Sequence, residues 1–106
     1  MKEDVTLSFE ERTLIARIRR DIDHHSAKGM REKIDQQLFE LRPKLLIIDF
    51  SDVGFMDSSG LGLVLGRVEK ATVLNTEVRI CGLSPTLMKL VRLSGLDRIH
   101  NLTVGK

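Results

Sequence analysis

Tryptophan and tyrosine are absent from the 106 residues, and only four phenylalanines supply large aromatic rings. So few stacking platforms argue against a surface built to hold unpaired bases. The 17 Lys and Arg residues against 15 Asp and Glu leave a formal net charge of +2, with the signs mixed along the chain. The electrostatic footprint of a nucleic-acid binder is therefore missing, and no direct nucleic-acid contact is expected. A lone cysteine, Cys81, excludes an internal disulfide, and three histidines without cysteine neighbours give no zinc-ligand spacing. A reduced, cytoplasmic setting with no metal and no cofactor is the economical expectation. No apolar run approaches the roughly twenty residues that span a bilayer. Met1-Lys2-Glu3-Asp4 is not followed by an export segment, so no direct membrane insertion is expected.

A chain of this length fits one domain, here residues 1–106, burying roughly 60 to 65% of the surface its unfolded form exposes. Val5, Leu7 and Phe9 alternate with polar residues, as do Leu14, Ala16 and Ile18 with Ile15 and Arg17, and Glu10-Glu11-Arg12 between them reads as a hairpin turn. Asp23 or Ser26 can cap a helix whose inner face includes Ala27, Met30, Ile34, Leu38 and Leu41, and Pro43 fits the break after it. Leu45-Leu46-Ile47-Ile48 is apolar on both alternating faces, which predicts a central strand covered on two sides. Leu61, Val64, Leu65, Val68 and Ala71 recur at helical spacing. Val78, Ile80 and Leu83 mark a further strand and its exit. Ser84-Pro85 opens a helix with Leu87, Leu90 and Val91 inside and Gly95 as its stop. Ile99, Leu102 and Val104 predict a short last strand. That order implies an α/β domain: a small mixed sheet flanked by helices on at least one side.

The junction Met56-Asp57-Ser58-Ser59-Gly60-Leu61-Gly62-Leu63 puts an acid and two hydroxyls at a helix start. Asp57, Ser58 and Ser59 are all credible N-caps, since each can accept a bond from an unpaired backbone N-H. Gly60 and Gly62 permit a close approach, and Gly66 can pack the helix tightly on the sheet. Phosphorylation at Ser58 or Ser59 would add about two negative charges beside Asp57, a group that the helix start tolerates and a docked partner need not. Other chemistries are poorly supported. Gly60, Gly62 and Gly66 space as GxGxxxG rather than GxGxxG, and the next strand offers Arg79 and Cys81 where an acidic ribose ligand would help. A GxSxG elbow lacks its first glycine. Asp49, Asp52 and Asp57 lack the early acidic pair of a phosphoaspartate site. His24, His25 and His100 read as solvated or capping residues, and Cys81 as a packed strand end. Arg17, Arg19 and Arg20 form a basic group able to receive an acidic partner.

Phe55-Met56-Asp57-Ser58-Ser59-Gly60-Leu61-Gly62 resembles the phosphorylation segment of bacterial anti-sigma factor antagonists of the STAS domain family. Asp21-Ile22-Asp23-His24-His25-Ser26-Ala27 strengthens the resemblance, particularly to the sporulation antagonists. Ile80-Cys81-Gly82-Leu83-Ser84-Pro85 and Leu93-Ser94-Gly95-Leu96 extend it over nearly the whole chain. The resemblance implies a regulatory switch rather than an enzyme, with a single STAS-like domain. Its unphosphorylated form would bind an anti-sigma factor serine kinase and free a sigma factor. The kinase, which carries the ATP, would modify the residue after the signature Asp, here Ser58, and a phosphoserine phosphatase would reset the switch. Asp23 would contribute to the partner-facing surface together with Asp57, Ser59, Gly60, Gly62, Arg20 and Ser26. Close relatives often carry Gly where Arg20 stands, and many continue into a C-terminal helix past the position of Lys106. The alternative implied by the same family is a non-catalytic STAS subunit of a lipid-transport or stress-signalling assembly.

Overall fold

The computed structural model describes residues 3–105; Met1, Lys2 and Lys106, which the expected 1–106 domain includes, lie outside the described residues. Strands β1 (Val5–Glu10) and β2 (Thr13–Ile18) form the expected hairpin. Glu10 pairs with Thr13, so the turn is only Glu11 and Arg12, whose φ values of 50° and 63° are both left-handed. Such a two-residue turn matches the twist of the strands, although asparagine and glycine usually fill it. Helix α1 (His24–Leu41) follows and ends at Arg42, which adopts a left-handed φ of 45° just ahead of Pro43. Then come β3 (Leu45–Asp49), α2 (Ser58–Val73), β4 (Glu77–Cys81), α3 (Pro85–Ser94), a short 3-10 turn (Leu96–Arg98) and β5 (Leu102–Val104). Ser84 caps α3 through a bond from the Leu87 amide, and Gly95 stops it at φ 85°, both as the sequence predicts.

The sheet is mixed and ordered β1-β2-β3-β4-β5, with β1 antiparallel to β2 and all later neighbours parallel. Strand β3 is central, but the expected cover on both faces is not found. Because each crossover advances by one strand in the same direction, right-handed connections place their helices on one side. Leu14, Ala16, Ile18, Leu46, Ile48, Val78 and Ile80 are buried beneath those helices. On the other face Ser8, Arg17, Glu77, Arg79 and Thr103 are exposed, while Ile15, Leu45 and Ile47 are only half-buried. The double apolar pattern of Leu45 to Ile48 thus reflects lateral shielding by neighbouring strands rather than a second helical layer.

Helix α1 buries Met30, Ile34 and Leu38 on its predicted inner face. Full burial of each such aliphatic side chain contributes roughly 1.5 to 3 kcal/mol. In α2 the stripe is rotated from the predicted one: Leu63, Val64, Val68 and Ala71 are buried, whereas Leu65 is 40% exposed. Gly66 does not mediate tight packing, since a Cβ there would meet nothing within 4 Å. The rotation brings Arg67 inside, where it is 2% exposed and its Nε lies 2.8 Å from Asp35 Oδ1 of α1. Burial works against both charges, raising Asp35 and lowering Arg67, and each is opposed by the other's charge. The approach is ionic rather than well hydrogen-bonded, because Nε and Nη1 of Arg67 and Oδ1 of Asp35 find no bonding partner with acceptable geometry.

Candidate functional site

The first helix start is built by the residues after β2. Asp23 caps α1: its Oδ1 accepts from the Ser26 amide at 2.8 Å, and Ser26 Oγ accepts from the Asp23 amide at 3.0 Å. This reciprocal pair satisfies two donors that a helix start leaves open. Those bonds, the Ser26 amide foremost, hold the Asp23 carboxyl below the usual carboxylate range. Ser26 is only 6% exposed. Of the residues expected on a partner-facing surface, Ser26 thus presents little to solvent, because its hydroxyl is committed to the cap.

The second start is capped by a single side-chain bond. Asp57 caps α2 by accepting from the Ser59 amide at 2.7 Å, which leaves Ser58 as the first helical residue, exposed to solvent. Of the three candidate caps, the acid takes the role and neither serine does. Gly60 is buried, and a Cβ added there would fall 2.6 Å from Met56 Sδ and 2.8 Å from its Cβ. Glycine is thus required for the chain to fold back over Met56. Gly62 is exposed and a Cβ there would meet nothing within 4 Å, so no close approach inside this chain requires it.

Two further contacts bring the starts together. Ile22 and Met56 form an isolated parallel bridge, with the Ile22 amide donating to the Phe55 carbonyl at 3.1 Å and the Asp57 amide to the Ile22 carbonyl at 3.2 Å. Asp21 Oδ1 accepts from the amides of Gly54 and Phe55 at 2.9 and 3.1 Å. Asp21 was not singled out from the sequence as a site residue; its only signal was a place in the Asp21-Ile22-Asp23 motif. Phe55, next to this clamp, was missed as a surface residue and stands 59% exposed. The result is a pair of helix N-termini lying abreast at the carboxyl end of the parallel strands, where ligand and partner sites of α/β sheets form.

Other predicted residues lie outside that centre. Arg17 and Arg19 both pair with Asp52, at 3.2 and 3.0 Å, and Arg20 lies 3.6 Å from Asp4. The basic group is thus already engaged with carboxylates, through exposed pairs that solvent screens. Burial and the charge of Asp49 push the Cys81 thiol up, which suits a strand residue and not a reactive thiolate. His24 and His25 are exposed in the first turn of α1 and His100 is exposed far along the chain, and among the described residues no histidine side chain is hydrogen-bonded to a serine. Among the described residues no group of three or more His, Cys, Asp or Glu can hold a metal ion, and no helix is long and apolar enough to cross a membrane.

Residues 4–104 match the STAS domain family. The chain belongs to that family. The family and the α/β fold expected from the sequence segments are therefore borne out. An anti-sigma F factor antagonist of Lysinibacillus sphaericus is 34% identical to this STAS chain over 84 residues, covering 79% of the chain and 72% of the relative. Among solved structures, the anti-sigma factor antagonist SpoIIAA in its unphosphorylated form is 28% identical, with a TM-score of 0.75 over 96% of this chain and 87% of that one. The Bacillus cell fate determinant SpoIIAA in its phosphorylated form is 30% identical, with a TM-score of 0.73 over 96% and 91% of the two chains.

Proposed function

We propose that this STAS domain is an anti-sigma factor antagonist working in the cytoplasm. Its unphosphorylated form binds an anti-sigma factor serine kinase and releases the sigma factor; phosphorylation of Ser58 inactivates it. The observation that carries this reading is the placement of Ser58. It is the exposed first residue of α2, directly after the capping carboxylate of Asp57 and beside the second capped helix start. The similarity to antagonists solved in unphosphorylated and phosphorylated forms supports the same reading.

Phosphate on Ser58 adds about 1.5 to 2 negative charges and three acceptor oxygens. The positive end of the helix dipole offsets part of that charge within the domain. A partner face that has been desolvated against Ser58 has no such compensation, and like charges set against each other in such an interface cost on the order of several kcal/mol. The fold survives while the complex does not. ATP or ADP in the complex belongs to the kinase, and a phosphoserine phosphatase restores the binding form. Incubation with the cognate kinase and ATP tests the reading: wild type takes up phosphate and loses affinity for the kinase, and Ser58→Ala takes up none. Equal incorporation into both proteins removes Ser58 from the mechanism.

A further inference from the structure

Between the first turns of α1 and α2 lies an open groove of about 470 Å³. Its rim carries His24, His25, Lys28 and Arg31, all from α1, and no carboxylate lines it. Positions 24, 28 and 31 share one helix face, so the positive groups are presented together. Among the described residues neither Lys28 nor Arg31 lies within ion-pair distance of a carboxylate, although the charge of Arg31 acts on Asp35 farther along the same helix. The floor is apolar, from Ala27 and Leu63, and includes Gly62.

Gly62 is informative because the fold does not ask for it. A glycine inside a helix weakens that helix relative to alanine, its φ is not positive, and a Cβ there would touch nothing. What the missing side chain provides is depth in the groove. Two roughly parallel helices with an apolar floor, one bare backbone position and a cationic rim form a seat for a third helix.

We propose that this groove docks an acidic amphipathic helix of the protein partner, with aliphatic side chains over Ala27 and Leu63 and carboxylates toward Lys28 and Arg31. The inference deepens the antagonist reading by naming the partner's chemistry. A free phosphate group fits less well: the Ser59 amide at the head of the groove is already bonded to Asp57, and an inorganic ion gains nothing from the aliphatic floor. Ser58 lies immediately beside Ser59 but does not line the groove, so phosphate there adds repulsion at the mouth of an acid-binding seat.

The test titrates the isotope-labelled full chain with a synthetic peptide of leucine and glutamate at helical spacing and follows backbone amide shifts. Shifts should concentrate in His24 to Arg31 and Ser59 to Leu63, and affinity should fall as salt rises. The Lys28→Glu/Arg31→Glu double variant and, separately, Gly62→Leu should each bind at least about tenfold more weakly, with Gly62→Leu unfolding at no lower temperature than wild type. Unchanged affinity in both variants overturns the proposal, as do shifts centred on the open sheet face or equal shifts from inorganic phosphate at the same concentration. The titration needs neither kinase nor modification, so the groove and the Ser58 switch stand or fall separately.

Discussion

Ile22 and Met56 sit side by side in a two-bond parallel bridge that belongs to no strand. One residue after each comes a capping aspartate, Asp23 or Asp57, and a helix. The bridge therefore sets the two helix starts level, which neither helix could do alone. The clamp of Asp21 on the Gly54 and Phe55 amides fixes the same loop from the other side.

Removing the α2 cap should loosen the switch segment. Asp57→Ala should destabilise the domain by about 1 kcal/mol, the usual cost of losing an N-cap, and Asp57→Ser should recover most of it. In a domain of this size that corresponds to a fall of roughly 4 to 8 °C in Tm, read by thermal unfolding. An Asp57→Ala variant as stable as wild type would show that the carboxylate does not hold the helix start.

The two nearby glycines should behave oppositely. Gly60→Ala forces a Cβ into Met56, and overpacking of this kind costs about 1 to 3 kcal/mol. Gly62→Ala fills empty space within a helix and should stabilise by up to about 1 kcal/mol. Urea unfolding of the pair measures both signs in one experiment.

The buried pair across the two helices should be costly to break and inexpensive to replace. Asp35→Asn leaves the Arg67 guanidinium buried without its counter-charge, a change that costs about 3 to 5 kcal/mol in comparable sites. The double variant Asp35→Leu/Arg67→Met should instead match wild type or exceed it by about 1 to 4 kcal/mol. A double variant no better than the single one would mean that the pair carries geometry that apolar packing cannot reproduce.

Acid should remove the contribution of the Asp23 carboxyl. Asp23 titrates below its ordinary value of 3.8 in the folded chain. Its contribution is thus fully present above that value and is lost as pH falls through the lower, folded pKa. Asp23→Asn, which keeps a capping side chain, should be less stable than wild type at neutral pH and converge with it in strong acid. Chemical unfolding across the acid range measures the difference; a constant gap would exclude the charge as its source.

Local chemistry was legible in the sequence wherever one residue type satisfies one local demand. Ser84-Pro85 and Gly95 bound a helix because capping and backbone conformation are decided within a few residues. The helical inner face of α1 and the alternation of the hairpin followed from periodicity for the same reason. Periodicity was less secure in α2, where Leu65 and Leu63 both suit an apolar stripe and Arg67 suits none. Only a carboxylate on a different helix, Asp35, makes burial of that arginine tolerable, and no local pattern announces a partner 32 residues away in the chain (67 − 35).

The amino-acid order by itself determined the elements, the family and the serine-bearing helix start, because caps, periods and motifs act between near neighbours. The tertiary structure alone decided which sheet face stays open and which serine faces solvent. It also decided that Ser26 is spent inside a cap and that Asp23 and Asp57 stand abreast. Those outcomes depend on how strands align and how crossovers turn, and contacts between distant segments settle them only once the whole chain has packed.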